Sequence, residues 1–136
     1  TSLPPMPIFF DGSDEQATKT LESLAHSIAD KQVTKAGDTD RMKLHLAAVF
    51  VSNFTNHLYV LAEQYCRKEG LDFKQLLPLI EETASRIRTL PPQLSQTGPA
   101  LRHDKATIEK HLELLNEHPH LKNIYLVLTE SIQQMS

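Results

Sequence analysis

Between Asp38 and Glu69 the chain runs for 32 residues without a glycine or a proline. Such a stretch reads as one long helix, which at 1.5 Å per residue would be about 48 Å from end to end. That is unusual in a globular domain, and the rest of the chain has to be arranged around it. Asp38 is placed to cap it, and Gly70 stands just past its end, where a residue of positive φ stops a helix. From Leu46 to Ala62 the apolar residues fall on most sides, the pattern of a central buried helix.

The sequence downstream stays helical. Asp72 is expected to cap a helix to about Thr89, with Pro78 inside it removing a hydrogen bond or bending it, and Pro91-Pro92 ending it. A polar connection from Gln93 to His103 leads to Asp104, the cap of a helix to about Asn116. Pro119 opens a last helix to about Gln134, with Leu121, Ile124, Tyr125, Leu128 and Ile132 on its inner side.

The sequence upstream reads differently. Ile8-Phe9-Phe10 has the form of a buried strand, and Ser13-Asp14-Glu15-Gln16 that of a capping box. A helix from about Asp14 to Ala29 follows, with Leu21, Leu24, Ala25 and Ile28 on one face. Lys31 to Lys35 suits a second short strand, and Ala36-Gly37-Asp38 a turn. One or two strands with open edges cannot stand alone. Residues 1–37 are therefore expected to be the strand-helix-strand tail of a larger α/β domain, and residues 38–136 an all-helical domain. The opening Thr1-Ser2-Leu3-Pro4-Pro5-Met6-Pro7 reads like the middle of a connection. The fold class expected is mainly α.

Composition removes several functions. With 14 basic and 17 acidic residues interspersed, the chain has no basic stripe to hold nucleic acid. No apolar run is long enough for a membrane span. The single cysteine, Cys66, cannot form an internal disulfide, which suits a cytoplasmic protein, and it reads as a structural thiol. His118-Pro119-His120 has no carboxylate or cysteine at ligand spacing, so it reads as a surface turn, and no metal is expected. Gly12, Gly37, Gly70 and Gly98 stand alone, so no loop here can cradle a dinucleotide phosphate.

Two segments carry polar groups suited to chemistry. At 100° per residue, His45, Ser52, Asn56, Tyr59 and Glu63 share one stripe of the long helix, bordered by Asn53. Such a stripe is either the solvent side of an amphipathic helix or the wall of a cleft. His, Ser, Asn and Tyr are short-range hydrogen-bonding groups suited to a ligand. His45 is either a structural histidine or an acid/base for carbonyl reduction, since imidazole gives and takes protons near neutrality. The second segment is Gln96-Thr97-Gly98-Pro99-Ala100-Leu101-Arg102-His103-Asp104. Gly98 before Pro99 suits a cap and a helical turn whose free amides, beside the Thr97 hydroxyl, can hold an oxygen. Arg102 can bind a carboxylate or phosphate in a forked pair, or simply pair with Asp104 or Glu109.

The run His45-Leu46-Ala47-Ala48-Val49-Phe50-Val51-Ser52-Asn53-Phe54, followed by Gln96 to Asp104, resembles a known family. It is similar to the C-terminal domain of Rossmann-like oxidoreductase-like proteins with a helical domain of unknown function. These are relatives of pyrroline-5-carboxylate reductase and of the 6-phosphogluconate dehydrogenase C-terminal superfamily. The resemblance covers nearly the whole chain. It implies a separate N-terminal domain that binds NADP or NAD, and a helical domain that forms a homodimer and closes the cleft over the nicotinamide. It implies a small carbonyl or imine substrate, and it puts His45, Ser52, Asn53, Asn56, Thr97, Gly98 and Arg102 at that cleft. One position departs from the wider superfamily. Its hydroxyacid dehydrogenases carry a catalytic lysine one turn before an asparagine, and here Val49 stands one turn before Asn53. The alternative is a non-catalytic nucleotide-sensing or helical assembly module.

Overall fold

The computed structural model describes residues 37–136. The expected strands at Ile8–Phe10 and Lys31–Lys35, the capping box and the helix from Asp14 to Ala29 lie outside the described residues. Within residues 37–136 the chain is helical, with no strand. It forms two compact units that divide after Val60, so that the boundary falls inside a helix.

The first unit carries the start of the long helix. Helix α1 spans Asp38–Ala48, a π-helical turn spans Val49–Phe54, and α2 spans Thr55–Lys68, with no break in between. The cap is Gly37 and not Asp38: the Gly37 carbonyl accepts from the Arg41 amide at 3.0 Å. Asp38 lies in the first turn beside Asp40, where a carboxylate meets the positive end of the helix dipole. Just past the π turn, the Thr55 hydroxyl donates back to the Phe50 carbonyl within it at 3.0 Å.

No residue of α1 or of the π turn is fully buried, contrary to the expectation of a buried central helix. A helix apolar on most sides needs neighbours on most sides. Here Leu44, His45, Ala48, Val49, Ser52 and Thr55 are half-buried. Met42 (66% exposed), Leu46 (59%), Phe50 (59%), Phe54 (52%) and Leu58 (40%) stand open. They recur every fourth residue. In a pure α-helix that spacing drifts about 40° per step and would carry Leu58 far around from Met42. A π turn takes up one residue more, which turns everything beyond it back by about 100°. The five side chains thereby form one ridge.

The second unit, from Leu61, holds a small core of Leu61, Cys66, Ala100, Leu115 and His118. The end of α2 closes as expected. Gly70 sits at φ +71°, the Leu71 amide donates to the Cys66 carbonyl at 2.8 Å, and the Gly70 amide reaches Arg67 at 3.5 Å. This is a Schellman stop, which glycine enters without the Cβ clash of other residues.

Asp72 caps a short 3₁₀ turn, Phe73–Leu76, by accepting from the Lys74 amide at 3.0 Å. Helix α3 begins only at Leu77 and ends at Arg86. Pro78 therefore stands in the first turn of α3, where a missing N–H and a fixed φ do no harm, and the expected bend is not required. Pro92 opens the short helix α4, Pro92–Ser95.

Helix α5 spans Lys105–Leu114 and α6 spans Pro119–Met135. Of the inner side chains expected on α6, Leu121, Ile124, Tyr125 and Ile132 are half-buried, and Leu128 is exposed. The Tyr125 hydroxyl lies 2.9 Å from Nδ1 of His111, tying α6 to α5. Burial pushes the Tyr125 phenol above its ordinary value, with the Thr129 hydroxyl opposing.

Asp104 caps α5 as the sequence indicates: Oδ1 accepts from the Thr107 amide at 3.1 Å and Oδ2 from the Thr107 hydroxyl at 2.8 Å. The Thr107 hydroxyl first, then its amide, hold the carboxyl below its ordinary value, with Arg102 and Lys110 adding smaller attractions. A folded-state value below the unfolded one means stability that is present at neutral pH and drains away on acidification. We expect thermal unfolding followed from about pH 5 downward to show a steeper loss for the native chain than for Asp104→Asn. Asparagine keeps a capping oxygen but cannot titrate. Equal slopes would mean that Asp104 does not contribute to the acid limb.

Candidate functional site

In the first unit, His45 lies in the last turn of α1, half-buried. It lines an open cleft of about 610 Å³ with Asp38, Thr39, Met42, Lys43, Leu46 and Val49. Ser52 and Asn53 belong to the π turn, the first half-buried and the second exposed, and Asn56 is exposed in the first turn of α2.

The π turn changes the predicted stripe. With one more residue in the turn, Asn56 and Tyr59 rotate off the His45 line by about 100°, and Asn53 and His57 move onto it. The stripe was drawn on a uniform helix, and no feature of the local sequence announces the extra residue.

In the second unit, Gly98 is half-buried at φ +105°, a conformation that favours glycine, and Thr97 is exposed beside it. The Thr97 carbonyl accepts from the Gln96 side-chain amide at 3.1 Å. Pro99 to Arg102 make a single helical turn closed by a second Schellman stop. The Asp104 amide donates to the Pro99 carbonyl at 2.9 Å and the His103 amide to Ala100 at 3.1 Å. The left-handed position is held by His103 at φ +53°, which is uncommon for a residue with a Cβ. Its Nε2 lies 2.9 Å from the Ser136 hydroxyl. Arg102 is exposed and lies 3.9 Å from Asp104, the pairing open to it from the sequence.

His118 is a correction to the sequence reading. In place of a surface turn, it is a buried group, 8% exposed. Its Nε2 lies 3.0 Å from Oε2 of Glu69, and its ring packs on Tyr65 with centroids 4.8 Å apart. Pro119 restricts the residue before it to extended backbone, and His118 is found at φ −132° and ψ 67°. That restriction was legible, but the partner 49 residues away was not. Among the described residues no group of three or more His, Cys, Asp or Glu is placed to hold a metal ion. No helix among them is long and apolar enough to cross a membrane.

The profile of a family described as a domain of unknown function, DUF2520, matches residues 6–132. The chain belongs to the DUF2520 family. This DUF2520 domain is also similar to a crystal structure described as that of a candidate NADP oxidoreductase, BF3122 of Bacteroides fragilis. The two share 40% sequence identity and a TM-score of 0.71, over 90% of this chain and 47% of the other. The DUF2520 domain thus spans about half the length of that protein. No curated protein matches it. Both matches agree with the resemblance drawn from the sequence, to a mainly helical domain of oxidoreductase-like proteins.

Proposed function

We propose that this chain is the helical C-terminal domain of an NADP-dependent oxidoreductase, closing the active-site cleft and forming a homodimer. The observation that carries this reading is the 40% identity, over 90% of the chain, to about half of a protein described as a candidate NADP oxidoreductase. Residues 1–37 are then the tail of a Rossmann-type domain, and residues 38–136 the dimerisation and substrate domain of a cytoplasmic enzyme.

The described glycines do not form a phosphate cradle. Gly70 and Gly98, at φ +71° and +105°, stand in isolated turns. The nucleotide phosphates therefore fall to the rest of the full-length protein. When bound, the nicotinamide supplies a hydride to a small carbonyl or imine. At that end this chain contributes His45 as the acid/base that moves a proton. Ser52 and Asn53 orient the substrate by hydrogen bonds, while Asn56, expected beside them, is carried off the His45 line by the π turn. In the second unit, taken by itself, Thr97, Gly98 and Arg102 are the groups suited to an anionic or carbonyl oxygen. Support for a homodimer comes from the open ridge of Met42, Leu46, Phe50, Phe54 and Leu58, which suits a second apolar surface. Val49, in place of the superfamily lysine, keeps a non-catalytic nucleotide-sensing role as the rival reading.

Calorimetry on the full-length protein tests the proposal, with NADPH against NADH and this chain as control. NADPH is expected to bind the full-length protein at least tenfold more tightly than NADH, with neither binding this chain. Absence of binding by both would remove the oxidoreductase reading and leave an assembly module.

A further inference from the structure

The second unit contains a cleft of about 580 Å³, within the size range of small-molecule sites. Gln64, Tyr65, Arg67 and Lys68 come to it from α2, and Glu117, His118 and His120 from the start of α6. The chain as a whole carries more acid than base, 17 against 14. The cleft inverts that balance. Two permanent cations and two imidazoles line it, against the single acid Glu117. The other acid nearby, Glu69, is taken up by His118.

The wall is built and not incidental. His118 is more than nine-tenths buried and fixed at both its edge and its face, by Glu69 and by Tyr65. Glu69 engages Nε2 only, so Nδ1 makes no hydrogen bond among the described residues. No unpartnered side-chain nitrogen or oxygen of the buried or half-buried described residues is sealed from solvent. Nδ1 is therefore accessible, on a side chain that lines the cleft. With Glu69 accepting from Nε2, the protonated ring offers Nδ1–H to an anionic oxygen, and the neutral ring accepts there from a protonated one. Lys68 has no partner among the described residues. Arg67 is held by Glu63 in an exposed pair at 3.3 Å, a weak tether that leaves the guanidinium free to swing.

We propose that this cleft binds a phosphate group, free or as the monoester of a small molecule, through Arg67, Lys68 and Nδ1 of His118. Arginine offers a planar fork to two phosphate oxygens, lysine a point charge, and a phosphate that carries one proton suits an imidazole in either state. This site uses none of the residues assigned to the nicotinamide end.

The test is NMR of the full-length protein with labelled histidine, titrated with inorganic phosphate and, separately, methyl phosphate. The pH and ionic strength are held constant against chloride. The ring signals of His118 and His120 are expected to move together on one saturating curve. The double variant Arg67→Gln/Lys68→Gln should weaken that curve at least tenfold while leaving the far-ultraviolet dichroism unchanged and the melting temperature lowered by only a few degrees, as expected for two charges lost from the last turn of α2. Saturation by methyl phosphate would mark a site for organic phosphates, and saturation by inorganic phosphate alone a site for the free ion. Shifts that grow linearly without saturating, that chloride reproduces, or that the double variant leaves untouched would overturn the proposal. The readout is local to this cleft, so its failure is separate from a failure of NADPH to bind.

Discussion

His45→Ala in the full-length protein is expected to lower NADPH-dependent turnover by about 10²–10⁴-fold, the usual contribution of a positioned general acid/base. His45 is half-buried, so water can satisfy its ring and no fixed partner is required. The side chain lines an open cleft. Its remaining structural role is as the basic residue in the last turn of α1, a dipole interaction worth about 0.3–1 kcal/mol. The variant should therefore lose turnover while its melting temperature moves little. The measurement is NADPH absorbance over a panel of small carbonyls and imines, beside a melting curve. Undiminished turnover would take His45 out of the mechanism. A collapse of the melting temperature instead would assign it a structural role.

The second large effect concerns association. Replacing Phe50 and Phe54 together by glutamate is expected to weaken the homodimer at least hundredfold, about 2.7 kcal/mol. The two rings stand edge to face with centroids 5.0 Å apart, at the middle of the ridge that runs from Met42 to Leu58. Open on one chain, they would be the desolvated centre of a paired surface, where aromatic anchors carry most of the binding energy. Glutamate is a good helix former, so the helix itself should survive the change. Sedimentation velocity across a concentration series reads the shift from dimer to monomer, with dichroism confirming the helix. A native protein that sediments as a monomer would withdraw the dimer. An unaltered double variant would move the interface to another face.

Much of the helical frame was legible, because its punctuation is local. Gly70, Asp104 and Pro119 each act within a turn of their own position, and each does what its chemistry indicates. Cys66 read as a structural thiol, and it is buried. Pro78 was misjudged because the 3₁₀ turn before it delays the start of α3, and that delay is set by Asp72 bonding to Lys74 instead of to an α-helical first turn. His103 in the left-handed position was not foreseen, since glycine is the usual occupant. A helical turn does follow Gly98 as expected, but Gly98 itself, at φ +105°, lacks the extended backbone of a helix-opening cap. The π turn and the His118–Glu69 pair were out of reach. The first has no local sequence signal, and the second rests on packing between distant segments. Of the candidate cleft residues, the sequence supplied types with suitable chemistry; His45, Ser52, Asn53 and Asn56 fall in the first unit and Thr97, Gly98 and Arg102 in the second.

The turn at Pro99–Arg102 and helix α5 share a residue: Asp104 closes the one with its amide and opens the other with its carboxylate. Only His103 stands between them besides Asp104 itself, so the joint is short. Four rotations, those about the backbone bonds of His103 and Asp104, set the angle at which the chain leaves one and starts the other. A displacement at Thr97–Gly98 would be transmitted along α5 as through a welded elbow, and not absorbed as it would be in a loose tether.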